Sequence, residues 1–134
     1  MKLDISATPA LRTICFIGFL GMTAQLLVFY EPNFAVQIVE ATWDKAIHVL
    51  YFGTMAFLLW IVTDRRWPLA VCLVVAFIGA ADETLQAYTP GRTSDLDDWI
   101  ADAIGAAAAL LIARRITNRG GARAAPVASR TGDE

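Results

Sequence analysis

Charge is scarce in this sequence. Only 18% of its 134 residues are Asp, Glu, Lys or Arg, where a water-soluble domain carries about 25%. That scarcity disfavours a soluble enzyme and an intrinsically disordered chain alike. Cysteine is scarce too. Cys15 and Cys72 both lie in apolar runs, and no C-x-x-C spacing occurs. Neither a disulfide-stapled secreted module nor a zinc-held fold is expected, and both cysteines read as small packing residues. Basic residues do not dominate: the net charge is −2, so no global basic field exists to hold nucleic acid as a partner. There is a single histidine, His48, and no internal repeat is visible.

What fills the chain instead is apolar. Hydrophobic residues make up 57% of it, and the mean hydropathy is +0.51. The length suits one domain. The long uncharged runs predict an all-α, membrane-embedded bundle of four transmembrane helices, each near the length of about 20 residues that a span needs. The first is expected over 11–30, around an uncharged run at 13–30. No small-x-small cleavage site follows it, so it reads as a retained helix, not a signal peptide. The second is expected over 44–62. The third is expected over 67–88, with Pro68 in its first turn, where a missing N–H is harmless, and with Pro90 and Gly91 closing it. The fourth is expected from 94, capped by Ser94 with Asp97 three residues on, to 116. Its small residues at 105–109 would let two helix backbones approach closely in lipid. The expected domain is thus 1–116, followed by a disordered cytoplasmic tail over 117–134.

Basic residues set the expected orientation. Nine of the eleven fall on one side of the bilayer: Lys2, Arg12, Arg65, Arg66, Arg114, Arg115, Arg119, Arg123 and Arg130. Lys45 and Arg92 fall on the other. Both termini are therefore expected in the cytoplasm, with the protein in the cytoplasmic (inner) membrane and the segments 31–43 and 89–94 facing outward.

The polar residues of the spans gather toward that outward side. Asp44, His48 and Tyr51 follow i, i+4, i+7 spacing on one helical face. Asp82, Glu83 and Gln86 share a face of the third helix. Asp95, Asp98, Asp102 and Gly105 form a stripe on the fourth, while Asp97 points away into water. An ionised Asp near the bilayer centre costs about 2.5–3.5 kcal/mol on insertion scales. Such groups should face the bundle and find partners, and Lys45, His48 and Arg92 are the ones available. Tyr51, Trp43, Trp67 and Trp99 read as an interfacial aromatic belt.

Four ordered pieces, Asp44-Lys45-x-x-His48-x-x-Tyr51, Glu83-x-x-Gln86, Pro90-Gly91-Arg92 and Asp98-x-x-x-Asp102-x-x-Gly105, resemble the VanZ-like family of small multi-pass bacterial membrane proteins. The resemblance covers 44–109, plus a compatible first span. Two positions depart from the family pattern: Asp102, where Asn is frequent, and Ala109, where Gly is frequent. The resemblance implies a cell-envelope role, since the founding member is associated with resistance to the glycopeptide teicoplanin. It implies no particular reaction.

Three function classes follow. In the first, the polar patch is a site acting on a lipid-linked or cell-wall substrate. His48 would be the general acid or base, because an unperturbed imidazole titrates near working pH. Asp44 would orient it, and Glu83 would be a second acid–base group. Arg92 would clamp a phosphate or carboxylate, and Gln86, Lys45, Asp98 and Asp102 would line the binding site. A metal held by His48, Glu83 and Asp98 with Asp44 is compatible with these donors, but the spacing does not demand one, and no cofactor or oligomeric state is specified. In the second class, the cluster is non-catalytic and fixes the bundle or docks a partner. In the third, the protein is a small transporter. The first helix argues against this, having Gln25 as its one strongly polar group and no embedded acid.

Overall fold

The computed structural model describes residues 7–27, 41–89 and 94–123, without the side chains of 41, 42, 44 and 118–123. The described residues form four helices: α1 (Pro9–Leu27), α2 (Ala41–Val62), α3 (Pro68–Ala87) and α4 (Leu96–Arg123). No strand occurs among the described residues. Three helices, α1, α3 and the Lys45–Val62 stretch of α2, are long and apolar enough to cross a membrane. α4 is the longest at 28 residues, but its uncharged middle, 103–113, is short for a span on its own. It is instead striped. Asp98, Asp102, Gly105, Ala106, Leu110 and Ala113 are buried against the bundle, while Ile104, Leu111, Ile112 and Ile116 are exposed.

The core explains the order of packing. Phe52, Met55, Ala56 and Trp60 of α2 meet Val71 and Val75 of α3, Ala106, Leu110 and Ala113 of α4, and Phe19 of α1. The outer surface stays apolar, with Ile14, Ile17, Leu69, Leu73, Phe77 and Leu111 exposed. In water such a surface would drive association. In a bilayer it faces solvent of its own kind, and helix association then depends on close packing and hydrogen bonds, not on hydrophobic burial.

Glycine supplies the close packing. A Cβ placed on Gly105 would run into the carbonyl oxygen of Val49 and lie 2.8 Å from its Cα. The backbones of α2 and α4 therefore touch. One turn along α2, a Cβ on Gly53 would lie 3.1 Å from the Gly105 carbonyl oxygen and 3.5 Å from Ala109 Cβ. The crossing thus runs through the small residues of α4, as their spacing predicts.

Helix boundaries follow local chemistry. α2 and α3 are joined by a tight turn in which Asp64, Arg65 and Trp67 adopt left-handed φ of 55°, 61° and 57°. Each such non-glycine residue costs on the order of 1–2 kcal/mol. The Arg65 N–H to the Trp60 carbonyl (2.8 Å) and the Arg66 N–H to the Thr63 carbonyl (3.1 Å) hold it. Arg12 Nε donates to the Val62 carbonyl at 3.0 Å, so a cation from α1 caps the last turn of α2, where the helix dipole favours it. At the other end, α4 is capped by Asp95, whose Oδ1 accepts the Asp97 N–H at 2.9 Å, and not by Ser94. α4 also continues to Arg123, past 116, where the sequence places the start of the tail. The remainder, 124–134, lies outside the described residues.

Overpacking a tight site costs about 1–3 kcal/mol, enough to change cellular abundance several-fold. Gly105→Ala should therefore lower membrane abundance several-fold, and Gly105→Leu should abolish it. Gly21→Ala, where nothing lies within 4 Å, should leave it unchanged. Immunoblotting of isolated membranes checks this.

Candidate functional site

The α2–α4 crossing decides which polar residues meet. Val49 lies against Gly105, so His48, one residue earlier, faces Asp102, nearly one turn before Gly105. His48 Nδ1 is 2.8 Å from Asp102 Oδ1. The Asp102 side chain has no exposed surface, and that of His48 is 12% exposed. Phe52, one turn after His48, lays its ring parallel to the imidazole, with a 5° interplanar angle and 6.2 Å between centroids. Asp82 and Glu83 of α3 are within electrostatic reach of Asp102, and Asp82 is within reach of Tyr51.

The pair is recessed. Asp102 packs against Gly79, the eleventh residue after Pro68 in α3. At 1.5 Å per residue that is about 17 Å up a helix about 30 Å long. His48 and Asp102 lie seven and six residues from the starts of α2 and α4, about 10 Å in at that rise, so the pair sits below the Lys45–Asp98 tie and about a third of the way into the bundle.

The other expected site residues are tied to one another. Lys45 Nζ donates to Asp98 Oδ1 at 3.1 Å, and is 3.9 Å from both Asp95 Oδ2 and Asp97 Oδ2. This joins the first turns of α2 and α4. Gln86 Nε2 donates to Asp82 Oδ2 at 2.9 Å, one turn apart on α3. Glu83 Oε2 accepts the Ser94 hydroxyl at 3.0 Å and the Asp95 N–H at 2.8 Å. Glu83 thus pins the start of α4 against α3. Its Oε1 is buried and accepts no hydrogen bond among the described residues, as is true of Asp102 Oδ2. Asp44 lies in the first turns of α2, but its side chain, and all of Arg92, fall outside the described residues. Among the described residues no three His, Cys, Asp or Glu side chains form a group that could hold a metal, so His48, Glu83 and Asp98 are not gathered as one.

Two aromatics differ from the belt expected of them. Tyr51 turns inward: its hydroxyl donates to the Met22 carbonyl at 2.8 Å and lies 3.2 Å from Gln25 Oε1, fastening α1 to α2 one turn from His48. Trp99 Nε1 donates to the Ala76 carbonyl at 2.9 Å, bracing α4 on α3. Trp43 and Trp67 are exposed, as belt residues would be. Sequence spacing could not separate these cases, because it gives a face and not a depth.

Arg12, Arg65, Arg66, Arg114 and Arg115 lie at the opposite end. Arg65 and Arg66 flank the α2–α3 turn, Arg12 caps α2 there, and Arg114 and Arg115 follow Ala113, which shares the core with Trp60 and Val71. The bundle is therefore polarised along its axis, with a basic rim at one end and an acidic one around Lys45 at the other.

No curated protein and no solved structure matches the chain. The family model described as VanZ/LLP1 matches residues 7–117, from the start of α1 into the last turns of α4, so this membrane protein belongs to the VanZ/LLP1 family.

Proposed function

We propose that the protein acts in the cell envelope, on a lipid-linked or cell-wall substrate, through the recessed pair of His48 and Asp102. The observation that carries this reading is the bond from His48 Nδ1 to a carboxylate without exposed surface. A carboxylate on Nδ1 fixes the imidazole ring and its tautomer and raises its basicity, as an acid–base group requires. Asp102, which the sequence suggests as a binding residue, takes the orienting role given there to Asp44. Arg92, two residues before Ser94 in the sequence, is proposed to clamp an anionic group of the substrate. Lys45, Gln86 and Asp98 are proposed to bind the substrate, and Asp44 and Glu83 to assist the acid–base chemistry.

The ties Lys45–Asp98, Asp82–Gln86 and Glu83–Ser94 favour a second, structural reading for those residues, since each closes a contact within or between helices. That reading makes the cluster a brace for the bundle or a docking point. It does not need His48 to be held by its ring nitrogen.

The polarised arginines support placing α4 as the fourth span. They also support both termini in the cytoplasm, with the protein in the cytoplasmic membrane. With Cys15 and Cys72 replaced, a cysteine at Asn33 should react with an impermeant thiol reagent in intact cells, and one at Arg119 should not. The opposite pattern would overturn the orientation.

Removing a general acid–base group costs about 10²–10⁴-fold in rate. His48→Gln, which still offers Asp102 a hydrogen-bond donor, and Asp102→Ala, which leaves no carboxylate to strand, should therefore abolish the envelope phenotype, read as glycopeptide susceptibility or cell-wall composition, while membrane abundance holds. Lys45→Gln should lower abundance and phenotype in step. Loss of abundance in proportion to phenotype for His48→Gln would favour the structural reading.

A further inference from the structure

Gly79 of α3 faces the His48–Asp102 pair with no side chain of its own. A Cβ there would stand 2.7 Å from Asp102 Oδ2, 3.3 Å from Phe52 Cε1 and 3.4 Å from Asp102 Cβ. The first distance is too short for any real carbon. The two residues in the way are the two that hold His48: Asp102 through Nδ1 and Phe52 through its parallel ring.

We propose that Gly79 is a positioning residue for His48. By leaving room for one oxygen of Asp102, it lets the other reach the imidazole, and so fixes the ring's orientation and its protonated nitrogen. The inference deepens the reading of His48 as the acid–base group and rests on it for its functional meaning.

Contrast with Gly105 separates this role from ordinary helix packing. At Gly105 the obstructing atoms are the backbone of Val49, so a side chain there would have to push α2 and α4 away from each other. At Gly79 they are the ends of two side chains. Asp102 Oδ2, the nearest of them, has no hydrogen-bond donor among the described residues and occupies the space a side chain at 79 would take. The carboxylate is the far end of a side chain with two rotatable bonds. The least costly response to a methyl group at 79 is for that carboxylate to turn. Turning it draws Oδ1 off His48 Nδ1 without moving a helix. The bundle would survive while the pair is broken.

The chain has one histidine, so ¹⁵N-histidine labelling of the full-length protein in lipid yields a single imidazole in the NMR spectrum. Wild type should show a hydrogen-bonded Nδ1 proton. Asp102→Asn should alter it, and Gly79→Ala should lose it while keeping near wild-type membrane abundance. Persistence of the wild-type Nδ1 signal in Gly79→Ala would overturn the proposal.

If Gly79→Ala fails to accumulate, the double variant Gly79→Ala with Asp102→Ala decides. With the carboxylate gone, the nearest contact to residue 102 becomes the 3.4 Å Cβ separation, which is ordinary. Abundance should then return to that of Asp102→Ala alone. A double variant as depleted as Gly79→Ala would show that the glycine serves helix packing, and the proposal would fall. Failure of the functional reading looks different: the Nδ1 signal is lost in Gly79→Ala, yet the envelope phenotype stays wild type. In that case Gly79 positions His48, but His48 is not the acid–base group.

Discussion

The contact between the Gly105 and Val49 backbones is the constraint on which the rest of the molecule depends. Lipid offers helices no hydrophobic reward for associating, so two backbones must come close enough for many small attractions and a few hydrogen bonds to hold. Gly105 removes the one atom that would prevent it. Because α4 then runs parallel alongside α2, His48 and Asp102 fall opposite each other. Lys45 and Asp98 fall opposite each other about one turn earlier along both helices. The polar pairs are a consequence of the crossing and also its register marks: sliding either helix by a turn would strand a carboxylate against apolar side chains.

The polar residues divide by what they touch. Lys45, Asp82, Gln86, Glu83, Ser94 and Asp98 close contacts among themselves, bracing helix starts and pinning the segment that leads into α4. His48 and Asp102 are different. They sit deeper than the Lys45–Asp98 tie, Asp102 has no exposed surface, α3 leaves open space for them at Gly79, and Phe52 of α2 backs the imidazole. A carboxylate so placed is expensive unless bonded. Holding an imidazole there uses that cost to fix one geometry.

Much of this was legible in the sequence because its signals are long-range sums. The uncharged runs fall on the helices within a few residues, since a membrane span needs length and apolarity and little else. The stripe Asp98, Asp102, Gly105 was visible as a face, and the face is the buried one. What spacing could not supply was depth and partner choice. Asp102 meets His48 Nδ1 because the crossing point sets the relative height of α2 and α4, and no single helix encodes that height. Tyr51 looked interfacial by composition, yet it bonds to α1, whose partner groups Met22 and Gln25 carry no local signature. Ser94 looked like a cap three residues before an acid. Glu83 competes for its hydroxyl, and Asp95 caps α4 instead. Gly79 gave no sequence signal at all, since a glycine in an apolar helix is ordinary until the side chain that fills its space is known.

The α2–α4 crossing can be measured by disulfide trapping. A Cβ on Gly53 lies 3.5 Å from Ala109 Cβ, inside the range of about 3.5–4.5 Å that a disulfide needs. With Cys15 and Cys72 replaced by alanine, a chain carrying Gly53→Cys and Ala109→Cys should be oxidised in native membranes. Intact-mass analysis after thiol alkylation should then find an intramolecular disulfide in most molecules, with both cysteines protected. Two freely alkylated thiols in a protein that still reaches the membrane would show that α2 and α4 do not cross at Gly105, and the placement of His48 against Asp102 would fall with it.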